Sequence, residues 1–166
     1  MNREHEYELA LTWTGDDGEG TRTYRGYRRD HTVVAPGRPE LLGSSDPAFR
    51  GDPGRWSPEQ LLVASLSQCH MLWYLHLASV EGIVVVDYRD APTGTMVEHA
   101  AGDGVFREVV LRPRVTIAEG DREVAEALHG RVGEYCFIAR SVNFPVRHDA
   151  TTIVQLRSGG ERTARS

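Results

Sequence analysis

Cys69 and Cys136 are the two cysteines of this 166-residue chain, and a thiol can serve as nucleophile, redox group, metal ligand or inert apolar filler. Each use demands different neighbours. A filler needs only apolar surroundings, whereas a reactive cysteine needs a cation or a helix N-terminus to stabilise its thiolate. "YRRDH" at 27–31 offers Arg28 and Arg29. On an extended stretch, alternation sends them to opposite faces, so at most one points inward, and an inward arginine requires a carboxylate for which Glu59 is a candidate. The plainer use of Arg28 and Arg29 is a solvated strand edge, and that of Glu59 a favourable charge at a helix start. Metal binding would draw on Cys69, His70, His76, Cys136 and His148. Their spacing matches no zinc motif, and the adjacent Cys69 and His70 point about 100° apart on a helix, so no metal and no other cofactor is expected.

The two cysteines are too far apart in sequence for a local C-x-x-C motif, so only the fold could unite them. If it does, an oxidised Cys69 can be captured by Cys136 as a disulfide before further oxidation destroys it. The remaining signals are weak. His31, His99, His129 and His148 read as surface or turn residues, and "GDDGEG" is acidic, wrong for phosphate and too short for a calcium loop. Neither G-x-S-x-G nor H-E-x-x-H occurs.

Cys69 sits in "SPEQLLVASLSQCHMLWYLHLA", residues 57–78, which opens with a helix-start signature. Ser57 can cap, Pro58 fits the first turn, Gln60 completes a capping box and Gly82 suits the left-handed C-terminal position. Leu62, Cys69 and His76, seven residues apart, share one face of this helix, which is read as packed. Before it, Tyr7, Leu9, Leu11 and Trp13 alternate as a strand, "TRTYRGYRRDHTVV" is a second extended stretch, and Pro36 to Trp56 is a Pro- and Gly-rich long loop. After it come a strand in "IVVVDYRD", a turn at "APTGT", an extended "VFREVVLRPRVTIA" interrupted at Pro113, a helix carrying Val124, Leu128 and Val132, a second short helix at "EYCFIARSV" and a strand at "TTIVQLR". This order predicts an α+β fold with mostly antiparallel sheet, organised as one domain over 1–157 with a disordered tail at 158–166.

A net charge of −5 without a basic block gives no support for nucleic-acid or anionic-lipid partners. From Gln60 to Val80 there is no charged residue, long enough to span a bilayer. Gln60, Ser65, Ser67, Gln68, His70, His76 and Ser79 would all need partners in lipid, so the segment reads instead as a buried central helix and no membrane association is expected. The N-terminal "MNREHEYELALTWTG" carries charges where an export signal needs an apolar run, which predicts a cytoplasmic protein and argues against a permanent disulfide.

"SPEQLLVASLSQCH" resembles the hallmark of the OsmC/Ohr family of thiol-dependent peroxidases, with an (N/S)-P-E-(E/Q)-L helix start and the reactive cysteine ten residues after the glutamate, as Cys69 follows Glu59 here. "EYCFIARSV" resembles the family's second-cysteine segment, and "SSDPAFRGDPGRWSPEQLL" the loop of its OsmC-like branch. The similarity runs from about Glu6 to Leu156. It implies an intertwined homodimer, with sheets of both chains wrapped around two central helices and sites at the subunit interface. It further implies that Cys69 is the peroxidatic thiol, Cys136 the resolving thiol, Glu59 the carboxylate that holds an activating arginine, and Arg29 that arginine, with Arg28 as the fallback. The implied partners are a hydroperoxide substrate and a dithiol reductant. Two departures stand out: Phe137 follows Cys136 where many relatives have proline, and His70 follows Cys69 where close hydroperoxide reductases tend to carry an aromatic. The competing expectation is a non-catalytic dimeric module that binds an apolar ligand in the same interfacial cavity.

Overall fold

The computed structural model describes residues 3–155. The disordered tail expected at 158–166 lies outside them. The chain divides into two compact units, with the division falling inside the long helix, between Leu62 and Val63.

The first unit is a three-stranded antiparallel sheet, β1 (Ala10–Trp13), β2 (His31–Val34) and β3 (Leu41–Gly43), in the order β1-β2-β3. β3 and a short 3₁₀ turn at Pro47–Phe49 both arise inside the stretch expected to be a long loop. The extended reading of 21–34 holds only for its last four residues, because 20–27 fold into turns and bends, so Arg28 and Arg29 precede β2 rather than alternate along it. The buried Asp30 fixes this region. Its carboxylate accepts from Ser44 Oγ at 3.2 Å and pairs with Arg28 at 3.3 Å and Arg55 at 3.8 Å.

The capping box forms as its residues dictate. Ser57 Oγ accepts from the Gln60 N–H at 3.2 Å, and Gln60 Oε1 accepts from the Ser57 N–H at 3.0 Å, so two otherwise unpaired donors at the start of α1 (Pro58–Val80) are satisfied. Its other end closes as a Schellman motif: Gly82 has φ +73°, the Ile83 N–H donates to Ala78 O at 2.9 Å and the Gly82 N–H to Ser79 O at 3.3 Å. No helix among the described residues is long and apolar enough to cross a membrane.

In the second unit, β4 (Val84–Arg89), β7 (Arg114–Glu119) and β9 (Thr151–Val154) form one sheet, ordered β4-β7-β9. β5 (Thr93–Glu98), β6 (Gly104–Leu111) and β8 (Val146–His148) form another, ordered β5-β6-β8. β4–β7 and β5–β6 are antiparallel, while β7–β9 and β6–β8 are parallel. The architecture is therefore α+β, antiparallel in the majority of its pairings. β5 covers most of the segment expected to be a turn, and β8 is a further strand that the pattern did not signal. α2 (Arg122–Val132) starts at Asp121, whose carboxylate accepts from the Glu123 and Val124 N–H groups at 2.7 and 3.1 Å. Gly130 lies within α2, and the helix ends at Gly133. The core of this unit joins Tyr74, Leu77 and Ala78 of α1, Ile83 just before β4, Val115 and Ile117 of β7, and Ala125, Leu128 and Val132 of α2.

Candidate functional site

The buried stripe of α1 runs through Leu66, His70, Tyr74, Leu77 and Ala78. The face expected to be packed is therefore displaced: His76 is exposed and Cys69 is half-buried at the edge of the stripe. That edge position suits a thiol that must be both held and reached.

Cys136 is 2% exposed and lies just past the end of α2. "EYCFIARSV" is not a second α-helix. After Gly133 it runs through a turn, places Cys136 between turns, and then makes a 3₁₀ turn at Ala139–Ser141. The Cys136 N–H donates to Val132 O at 2.9 Å, and its sulfur accepts from the Ala139 N–H at 3.4 Å. These two bonds fix the sulfur against the core.

The fold brings the two cysteines together. Cys69 packs against the buried cluster that contains Cys136, and the two thiols interact directly. Burial first, and then that interaction, push the Cys136 thiol up to about 11. At neutral pH, Cys136 thus retains its proton and can direct it at the Cys69 sulfur. Both thiols are free.

Trp73, one turn beyond Cys69, packs on Phe137 (ring centroids 5.6 Å, edge-on) and Tyr135 (5.3 Å), the two residues that flank Cys136. Phe137 is 67% exposed and Leu72 is 62% exposed, so an apolar, aromatic surface borders the thiol pair.

Arg29 and Glu59 are not joined to each other. The Arg29 guanidinium donates to the carbonyls of Tyr27 and Tyr24 and lies over both rings, at 4.1 and 4.4 Å from their centroids. Glu59 Oε2 is buried with no hydrogen-bond partner. Arg28 is held by Asp17 at 3.0 Å and by Asp30.

The histidines differ most from expectation. His129 is 1% exposed, and its Nδ1 lies 2.9 Å from Nε2 of His70, itself 6% exposed. Its ring stacks on Tyr74 at 4.2 Å, and the exposed His148 lies 5.9 Å from both rings. Burial, with smaller contributions from neighbouring histidines, lowers His70 to about 4 and His129 to about 3, so both are neutral at pH 7. His129 Nε2 is buried without a partner. The sequence did hold a signal for this: His129 is four residues after Ala125 and three before Val132, on the buried face of α2. No cluster of three or more ligating residues positioned for a metal ion occurs among the described residues.

The OsmC family model, described as OsmC-like protein, matches residues 51–151. An OsmC-like protein of unknown function from Vibrio cholerae is 31% identical, with a TM-score of 0.78 over 89% of this chain and 99% of that one. An organic hydroperoxide resistance protein OsmC from Legionella pneumophila shares the fold at 18% identity, with a TM-score of 0.60 over 91% of this chain and all of that one. An organic hydroperoxide resistance protein from Elizabethkingia anophelis does so at 14% identity, with a TM-score of 0.60 over 92% and 100%. No curated protein matches the chain. With the family model spanning most of the chain and two remote cysteines converging between α1 and the exit of α2, this protein belongs to the OsmC family.

Proposed function

We propose that this protein is a cytoplasmic, homodimeric thiol peroxidase that reduces organic hydroperoxides, and secondarily hydrogen peroxide, to alcohols and water. The observation that carries the reading is the convergence of a half-buried Cys69 with a buried, protonated Cys136. The Cys69 thiolate attacks the distal peroxide oxygen, the O–O bond breaks, and the alkoxide takes a proton to leave as the alcohol. Cys69 is then a sulfenic acid. Cys136 attacks its sulfur, water departs, and a Cys69–Cys136 disulfide remains for a dithiol reductant to open by exchange.

Arg29 supplies the cation that stabilises the thiolate and the charge developing on the peroxide. Glu59, with one buried oxygen lacking a partner, supplies the carboxylate that would fix a guanidinium. The aromatic border formed by Trp73, Tyr135 and Phe137 favours an alkyl or aryl substituent over a fully polar peroxide. Leu9 and Leu11, each 63% exposed, and Leu72 are the kind of apolar surface a second copy would cover.

The test is stopped-flow consumption of cumene hydroperoxide by the reduced protein. Cys69→Ser is expected to abolish it, and unchanged turnover in that variant would end the proposal.

A further inference from the structure

Next to the thiol pair lies a cavity of about 140 Å³, lined by His70, His129, His148 and Cys136, with Leu66, Leu111 and Arg147 among its other walls. That is room for several water molecules. The peroxide chemistry proposed above places no demand on three histidines, yet one of them keeps a buried ring nitrogen without a partner on a residue that lines this space.

We propose that the His70–His129 pair is a charge-neutral proton relay that serves Cys136, passing protons to and from its thiol across the cavity. The relay follows from the geometry of one hydrogen bond. In a neutral imidazole one nitrogen donates and the other accepts. If His70 Nε2 donates to His129 Nδ1, then His129 Nε2 carries a proton; if His129 Nδ1 donates to His70 Nε2, then His129 Nε2 is bare. Shifting the shared proton, in concert with gain of a proton at one outer nitrogen (His129 Nε2 or His70 Nδ1) and loss of one at the other, therefore converts the buried nitrogen between donor and acceptor without creating a charge in the core. The exposed His148, 5.9 Å from both rings, gives the cavity an outlet to solvent.

Cys136 is the group that needs such a device. Each disulfide it forms requires that its thiol lose a proton, and each reduction that it regain one, while its burial disfavours a standing thiolate. In the peroxide cycle, the Cys136 proton enters at His129 Nε2 as its sulfur attacks Cys69, the shared proton passes from His129 Nδ1 to His70 Nε2, and His70 Nδ1 releases its proton to the departing hydroxide, which becomes water. The charged and titratable groups around the pair are Tyr74 and Cys69 on α1, Glu126 on α2, Asp90 after β4, and Arg147 and His148 on β8.

The proposal rests on the thiol-pair reading but not on peroxide as the oxidant, and the experiment keeps the two apart. Reduced wild type and His129→Phe, which keeps a ring to stack on Tyr74 and removes both nitrogens, are oxidised in single turnover. One arm uses cumene hydroperoxide, the other diamide. In the diamide arm Cys69 adds to the N=N bond, and Cys136 then attacks the Cys69 sulfur, releasing the hydrazine with the proton. Quenching with a thiol alkylator and mass spectrometry separates the first step from disulfide closure.

We expect the first step within twofold of wild type and closure about 100-fold slower in both arms, with the solvent deuterium isotope effect on closure lost, in the range typical of acid–base assistance. His70→Gln, which breaks the relay at its other member, gives the same result should His129→Phe fail to fold. Closure at the wild-type rate in both arms, or a slowed closure that retains its isotope effect, overturns the relay. A wild type that closes with diamide but ignores peroxide would sink the peroxidase reading and leave the relay standing.

Discussion

Cys69 and Cys136 are the same residue in two opposite settings. Cys69 sits in the middle of a regular 23-residue helix yet is half-open, whereas Cys136 sits in irregular backbone and is sealed, its sulfur anchored by the Ala139 N–H. The contrast shows that regular structure and burial answer different needs. A long capped helix fixes where a nucleophile points while leaving one side accessible. An irregular turn can bend a second sulfur toward it and still bury it. In the proposed cycle this divides reactivity: the accessible thiol would meet the substrate, and the buried one would keep its proton until the first has reacted.

The largest effect expected from breaking this contrast is on Cys136. Cys136→Ser leaves the first peroxide turnover intact and then drives Cys69 to sulfinic and sulfonic acid, detected by mass spectrometry after stepwise addition of peroxide. A variant that keeps cycling without overoxidation would contradict the division of roles. Arg29→Ala should slow the first oxidation by roughly 10²-fold without changing closure of the disulfide, because in the proposed cycle its charge would act on the Cys69 thiolate and the peroxide alone. Stopped-flow rates for the two steps check this, and an equal loss in both would place Arg29 elsewhere in the cycle.

The smallest effect is on stability. His70 and His129 are held near 4 and 3 when folded, below the ordinary histidine value of 6.5. The unfolded chain therefore binds more protons below pH 6.5, and stability present at neutral pH is lost as pH falls from about 6.5 toward the folded values. Between pH 7 and 5 each ring should cost about 2 kcal/mol. Denaturant melts across that range measure it, and His129→Phe should flatten the curve by about the share of one ring.

Much of the frame could be read from residue types. The capping box at Ser57 and Gln60, the close at Gly82 and the break at Pro113 are local devices, and local devices are visible in sequence. What was missed depends on distant neighbours. "TGT" looks like a turn, but it opens β5, and a Cβ on Gly94 would lie 2.6 Å from Val63 Cγ2 and 2.8 Å from the Phe106 ring, so the glycine serves close packing rather than chain reversal. β3 and β8 are three residues each, too short for alternation to register. At the thiol site, both cysteines could be singled out as candidates from the sequence, and the family resemblance alone suggested their roles. Their meeting, and the histidine pair beside them, needed α1 and α2 to be packed together.

Trp73 gives the thiol pair an optical consequence. Its indole is one turn from Cys69 and touches both residues that flank Cys136, while Trp13 and Trp56 belong to the other unit. A sulfur bridge closing beneath that ring would alter its emission, so the protein carries a native dye for its own redox state.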